Sequence, residues 1–413
     1  MDNTLMIPRK TKSSFWQDIV LRLMTRMHQG RLDLELPNGE QLVIGNGIEP
    51  IRACIRIHDN AFFKHCILYG DIGLGEAYVE GLWDTDDIAA VISWVLLNLD
   101  KASGIPGNRT PALLVNLLNW WNRWKHIRRV DTPAGSRRNN AAHDHPNNDF
   151  FRLFLDPTMT YSAAYFRRDG MTLEQAQFAK YERLCSQLHL RATDHVLEIG
   201  SGWGGSAIYM ARQYGCRITT LTISAEQYQL STQRIKAAGL ESRITVLLRD
   251  YRNFSGRFDK IVSVEMSEAV GHRYLDTYFK KCNEWLKRDG ILAFQVITCP
   301  DSRYDSLRKS VDWIQKYISP GPLPSVAAIN AAVNRSGEMT LVDLKDLGLH
   351  YAATLKVWFM QFNSRLTEVK ALGFDNHFIR KWNYYLCYCE AAFRMRNIHV
   401  MQLVYTRPNN LSR

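Results

Sequence analysis

Residues 15–29 place Phe15, Ile19 and Leu23 at steps of four with Arg22 and Arg26 elsewhere on the wheel, which predicts an amphipathic helix with one core-facing side. The stretch RLDLELPNGEQLVIG (31–45) then alternates apolar and polar positions around Pro37, Asn38 and Gly39, the pattern of a β-hairpin. ACIRIH (53–58) and HCILYG (65–70) extend the β character, and helical spacing resumes from Asp87 to Leu99. The first hundred residues therefore predict a small α+β domain. GIPG (104–107) breaks the pattern, and Pro111 can start a helix whose Leu113, Leu117, Leu118, Trp121 and Trp124 form an apolar face beside Arg and Lys.

From about residue 150 the pattern changes to strands alternating with helices, the signature of a mainly parallel sheet covered on both faces. The strands are HVLEIG (195–200), CRITTLTIS (216–224), RITVLLRD (243–250), FDKIVSVEM (258–266) and GILAFQVI (290–297). Helical stretches at about 173–189, 205–214, 225–238 and 274–288 separate them. Between the halves, Thr132 to Asn148 is polar and rich in Asn and Arg, so it reads as a linker. The expected organisation is an amino-terminal domain over 1–131, a linker over 132–148 and a larger domain over 149–413.

With 46% hydrophobic and 23% charged residues the composition is globular, and 25 Gly and 13 Pro are too few for a low-complexity chain. The eight Cys show no CxxC pair and no zinc-like spacing, so they are expected to be reduced thiols. The run Ile88–Leu97 is too short to span a bilayer and the first residues lack an apolar signal region, so a cytoplasmic protein is expected. The net charge of +11 attracts anionic partners, nucleic acid or lipid alike. It concentrates in 104–140, where Arg109, Arg123, Lys125, Arg128, Arg129, Arg137 and Arg138 face only Asp131. Tryptophans beside cations suit a lipid headgroup boundary, and a helix packed on its own protein is the competing reading.

The strand HVLEIG runs directly into SGWGGSAIYMARQ, so Gly200, Gly202 and Gly204 lie where a buried strand becomes a helix. Glycines allow positive φ and bring backbone amides close to a ligand, and a helix N-terminus favours an anionic group. The pattern is E-x-G-x-G-x-G, which is neither the G-x-G-x-x-G of dinucleotide sites nor a phosphate-binding P-loop. It resembles motif I of class I S-adenosylmethionine-dependent methyltransferases. The methionyl carboxylate would meet the amides, and Glu198 would orient the turn or approach the cationic end of the cofactor.

Further stretches sharpen the resemblance. They are FFRLFLDPTMTYSAAYF (150–166), LTISAEQ (221–227), LRDYR (248–252), IVSVEMSEAVGHRYLDTYF (261–279), WIQKYISPGPLPS (313–325) and YYLCYCEAAFRMRNIHVMQLVYTRP (384–408). Together they are similar to the cyclopropane-fatty-acyl-phospholipid synthase family, with its mycolic acid cyclopropane synthase and fatty-acid methyltransferase relatives. The likeness covers about 140–408, and the amino-terminal part is similar to the longer bacterial members. It implies a Rossmann-like, mainly parallel seven-stranded sheet in an α/β fold with a smaller N-terminal α+β domain.

Carried over by position, the resemblance implies a cofactor site of Tyr161 and Ser162, the loop Glu198, Gly200, Ser201, Gly202, Trp203 and Gly204, the segment Thr222, Ile223, Ser224 and Gln227, and Asp250 with Tyr251. Gln227 at a helix start can bond ribose hydroxyls, and Asp250 at a strand end can accept from an adenine amino group. In the family the base after methyl transfer is ascribed to bicarbonate held by a glutamate, a histidine or glutamine, a tyrosine and backbone amides. The matching positions are Glu268, Gln295, Ile297 and Tyr351, with Ala163 where the family often has cysteine. Ala163 then offers only its amide, and Gln295, replacing the family's histidine, donates but does not titrate. Cys389 matches a family cysteine once regarded as an active-site residue and is a catalytic candidate on that resemblance, with a buried structural thiol as the other reading.

Aromatics at Tyr304, Trp313, Tyr317, Trp358, Phe359, Phe362 and Tyr388 are candidates for an acyl tunnel, and most are expected to be core. His143, Asp144 and His145 alter a motif of the linker, and no metal is expected there because a third ligand group is lacking. The expected activity is methyl(ene) transfer from S-adenosylmethionine to the cis double bond of unsaturated phospholipid acyl chains, giving cyclopropanes. A carbocation forms and is deprotonated with the help of bicarbonate. The expected partners are those acyl chains at an anionic membrane surface, with peripheral association with the inner membrane face. No specific nucleic acid is expected, and a homodimer is left open. Methyl- or methylene-branched products and a silent lipid-binding paralogue are the alternatives. Nucleic-acid methylation has the charge in its favour and no base-reading motif.

Overall fold

The structure is a computed structural model that describes residues 15–48, 50–99, 146–266, 271, 274–319 and 321–411. The chain forms two compact units, one of Met1–Lys125 with Asn376–Ala391 and one of His126–Asp375 with Ala392–Arg413. The basic, Trp-bearing stretch, most of the linker and its His143–His145 trio lie outside the described residues.

In the first unit a helix over Phe15–Met24 precedes a four-stranded sheet of order β2-β1-β3-β4. Strands β1 (Arg31–Glu35) and β2 (Gln41–Ile44) form the hairpin that the alternation predicts, with Leu34 opposite Leu42. Strand β3 (Arg52–Ile57) pairs parallel with β1, and β4 is the short Trp83–Asp84. The β character expected of 65–70 is corrected, because these residues lie inside a helix over Ala61–Val79. A run as short as Cys66–Tyr69 fits a helix turn as well as a strand, and Gly70, at φ 57°, kinks that helix where the run ends. The segment Asn376–Ala391, placed with the catalytic half by sequence, folds with this unit through Arg380. Its guanidinium donates to the Tyr78 and Trp83 carbonyls at 2.7 and 3.0 Å and pairs with Asp84 at 2.9 Å.

The second unit is built on a seven-stranded sheet of order β10-β11-β9-β8-β5-β6-β7. Its strands are β5 (His195–Ile199), β6 (Arg217–Thr222), β7 (Ile244–Leu248), β8 (Phe258–Val264), β9 (Leu286–Thr298), β10 (Thr340–Asp346) and β11 (His399–Thr406). Strands β5 to β9 run parallel, whereas β11 is antiparallel to both β9 and β10. Five strands and the helices Leu173–Gln187, Gly205–Tyr214, Ala225–Ala237 and Leu275–Trp285 fall where the sequence pattern puts them. Neighbouring strand residues go to opposite cores, Leu197, Ile261 and Phe294 to one and Val196, Val262 and Ala293 to the other.

Strands β5, β6 and β7 step one way across the sheet, and β8 returns to the other side of β5. This reversal leaves a crevice at the carboxyl ends of β5 and β8, the place where open α/β sheets bind ligands. On one face, the apolar positions Val196, Ala293 and Val404 give way at that end to Glu198, Gln295 and Gln402. Buried polar groups of this kind need partners.

Candidate active site

A cleft of about 720 Å³ opens at this crevice. Tyr161, Ser162, Glu198, Gly200, Ser201, Gly202, Trp203, Ser224 and Gln227, all expected from sequence, line it. The glycine turn after β5 holds Gly200, Gly202 and Gly204 at φ 94°, 48° and 84°, a left-handed run that side chains resist. Gly204 caps the helix Gly205–Tyr214, whose first turn faces the cleft through Gly205 and Ser206.

Glu198 is buried at the end of β5, where Thr220 Oγ1 donates to it at 2.6 Å and Ser206 adds a second hydrogen bond. Burial pushes its carboxyl up to about 7 against those bonds. Across the cleft, Ser224 caps the helix Ala225–Ala237, and Thr222 Oγ1 donates to Gln227 Oε1 at 2.9 Å. Thr222 is thus a support for Gln227, and Ile223 projects outward, 66% exposed. The Asp250 carboxylate accepts from Arg252 Nη2 at 2.6 Å and from the Arg252 backbone at 2.9 Å, and neither it nor Tyr251 is part of the cleft lining. The Tyr251 ring packs edge-on against Tyr278.

One wall is aromatic. Tyr161 stacks on the fully buried Trp358 at 5.1 Å, Phe151 meets both Tyr161 and Trp203, and Trp203 Nε1 donates to Asn148 Oδ1 at 2.7 Å. Beneath it the backbone of Ser162 is fixed by Gln177, while Lys180 donates to Ser162 Oγ at 2.6 Å.

Glu265, which sequence reading did not single out, stands at the centre of the predicted base cluster. It follows β8 directly, with φ 47°, and it also lines the cleft. Its Oε1 accepts from the Ala163 amide at 2.9 Å and from Gln295 Nε2 at 2.7 Å, and Tyr351 donates a further side-chain hydrogen bond. Burial raises the Glu265 pKa, and the charge on Lys180, the Ala163 amide, Gln295 and Tyr351 act against the rise. Gln295 is itself oriented from β11, since Gln402 Nε2 donates to its Oε1 at 2.9 Å. Ile297 lies two residues further along β9, on the same side as Gln295. The Ala163 amide is directed at Glu265, and Glu268 lies outside the described residues. Cys389, half-buried, belongs to the first unit and therefore not to the unit that carries this cluster. None of the eight cysteines is in a disulfide.

Two fits follow. The turn, Glu198, Ser224 and Gln227 suit S-adenosylmethionine: left-handed glycines for close backbone approach, an acid for a cationic group and an amide for hydroxyls. A bicarbonate ion fits poorly, because the donors that would hold it already converge on the Glu265 carboxylate. Among the described residues no group of three or more His, Cys, Asp and Glu could hold a metal, and no helix is long and apolar enough to cross a membrane.

A family model described as mycolic acid cyclopropane synthetase matches residues 133–403. The chain is 35% identical over 414 residues to the tuberculostearic acid methyltransferase UfaA1 of Mycobacterium tuberculosis, covering 97% of this chain and 94% of that protein. It is 37% identical over 366 residues to the cyclopropane-fatty-acyl-phospholipid synthase of Escherichia coli, covering 88% and 89%. Among solved structures, the mycolic acid cyclopropane synthase CmaA1 complexed with SAH and CTAB aligns with a TM-score of 0.58 at 30% identity, over 63% of this chain and 94% of that one.

Proposed function

The chain belongs to the mycolic acid cyclopropane synthetase family, as an S-adenosylmethionine-dependent methyltransferase of the cyclopropane-fatty-acyl-phospholipid synthase type, and from that premise we propose that it transfers a one-carbon unit to the cis double bond of unsaturated phospholipid acyl chains, closing a cyclopropane. The observation that carries this reading is that one cleft is lined both by the glycine turn after β5 and by a carboxylate in a cradle of donors after β8. An unactivated alkene is a weak nucleophile, so this reaction needs a strong electrophile, a dry site and a base.

When bound, S-adenosylmethionine supplies the electrophile, a methyl group on a sulfonium. The residues of the chain do the rest. The turn and Gln227 position the cofactor, and Glu198 faces its cationic end. Tyr161, Phe151 and Trp358 keep water from the neighbouring wall, and the π face of Tyr161 suits positive charge developing on the acyl chain. A base on the Glu265 side then takes a proton from the transferred carbon as the ring closes. The net charge of +11 favours approach to an anionic lipid surface.

Incubating the protein with labelled S-adenosylmethionine and monounsaturated phospholipid vesicles should give labelled acyl chains heavier by one CH₂ group. Upfield cyclopropane methylene protons in the NMR spectrum identify the product. A second reading, methyl- or methylene-branched chains, is favoured by a relative matched over 97% of this chain and named a tuberculostearic acid methyltransferase. Labelled chains without the upfield protons would select it. Cofactor binding with no labelled lipid would defeat both.

A further inference from the structure

We propose that the side chain of Glu265 is itself the anion of this active site, filling the cradle that the family resemblance assigns to bicarbonate and taking the proton, so that the protein turns over without bicarbonate. The inference rests on the acyl-chain reading above for its reaction and on the geometry alone for its cradle.

The donors supply the first argument. The Ala163 amide, Gln295 Nε2 and the Tyr351 side chain come from three separate stretches of sequence, and all three converge on one carboxylate. Neutral donors that meet at one point mark an anion site, because each alone would be left unpaired in a buried place. A second anion beside Glu265 would share those donors and set like charges together, which a buried site disfavours strongly. Among the described residues, the countercharge acting on Glu265 is the ammonium of Lys180.

The backbone supplies the second. Glu265 leaves β8 in the left-handed region, φ 47°, while its own amide donates to the Gln295 carbonyl at 2.8 Å. A glutamate there holds a backbone conformation that a glycine would take freely and that side chains resist. The conformation turns the side chain back toward Gln295 and Ala163. Gln295 suits that partner, because a neutral amide donates to an ionised carboxylate without competing for its proton.

The proton balance closes within the chain. The C–H bond of the transferred carbon breaks, its electron pair forms the new carbon–carbon bond, and the Glu265 carboxylate becomes the neutral acid. The proton then returns to solvent through the cleft that Glu265 lines.

The test has a binding arm and a turnover arm, both on the full chain. With ¹³C-bicarbonate and NMR, the wild type should show no binding, whereas Glu265→Gly should open the cradle and bind the ion. In turnover, the wild type should work equally well in bicarbonate-depleted and bicarbonate-supplemented buffer. Glu265→Gln should lose on the order of 100-fold in kcat, the usual scale for a missing base, while keeping its S-adenosylmethionine affinity by calorimetry. Glu265→Gly should be partly rescued by bicarbonate. Stoichiometric bicarbonate binding by the wild type, loss of its turnover on depletion, or full activity in Glu265→Gln would each overturn the proposal. If no lipid product forms at all, the substrate reading fails, and the binding arm still decides who occupies the cradle.

Discussion

Gln402 donates its Nε2 to the Oε1 of Gln295 at 2.9 Å, directly across the antiparallel pair of β11 and β9. Because that oxygen is engaged, the amide nitrogen of Gln295 faces Glu265. Gln402 is therefore a positioning residue. Gln402→Leu should leave the Gln295 oxygen unpaired in a buried site and free the amide to rotate, lowering kcat about tenfold. KM for S-adenosylmethionine should hold, and Gln402→Glu, which keeps the volume of the side chain but loses its N–H donor, should lower kcat as Gln402→Leu does. An equal fall in thermal stability and activity, with KM for both substrates rising together, would indicate a merely structural role.

Glu198 should make cofactor binding pH-dependent. Its carboxyl titrates near 7 because it is buried, and a cationic ligand favours the ionised form. Binding should therefore release a proton, and affinity should rise as pH increases from about 5.5 to 7. Calorimetry in two buffers of different ionisation enthalpy checks the proton, and Glu198→Gln should flatten the dependence. A slope that survives in that variant would assign it to another group.

Gly200 should not tolerate a side chain. At φ 94° an added Cβ would also lie 3.3 Å from Met266 Cγ. Gly200→Ala should cost about 1–3 kcal/mol of stability and weaken cofactor binding. Gly239→Ala provides the control, with a similar φ of 66° and nothing within 4 Å of the new atom. It should lose stability and keep its affinity, as read by thermal melts and calorimetry. Equal affinity in both variants would remove the turn from the site.

Lys180 sets the charge around Glu265. Burial brings its ammonium down to about 8, with Glu265 and Asp156 pulling the other way. Lys180→Met removes the positive neighbour that lowers the Glu265 pKa, so the pKa must rise further. Activity that needs the ionised carboxylate is lost as pH falls through that pKa. The acid limb of the kcat/KM profile should accordingly move to higher pH, with the plateau recovered on the alkaline side. An unmoved limb would show that Lys180 does not act through Glu265.

The boundary between what was legible and what was not follows the range of the interactions. The glycine turn could be read because its requirement is local: a strand must become a helix within a few residues, and only glycine reaches those φ values cheaply. The five parallel strands could be read because burial writes largely apolar runs such as Val196–Ile199, interrupted only by Glu198, and Ile261–Val264, interrupted only by Ser263. Residues 65–70 misled because the short run Cys66–Tyr69 carries no period long enough to separate strand from helix, and the kink at Gly70 is a property of the folded helix.

The sequence by itself determined the class of fold, the glycine turn and the family, since each rests on neighbouring residues or on motifs in order along the chain. Only the tertiary structure decided which acid meets the donors. Ala163, Glu265, Gln295 and Tyr351 are separated by 102, 30 and 56 positions from one to the next. Sheet order and a left-handed turn after β8 bring them together, and hydrogen bonds of such short reach are fixed by the packing of strands and helices rather than by spacing in the chain.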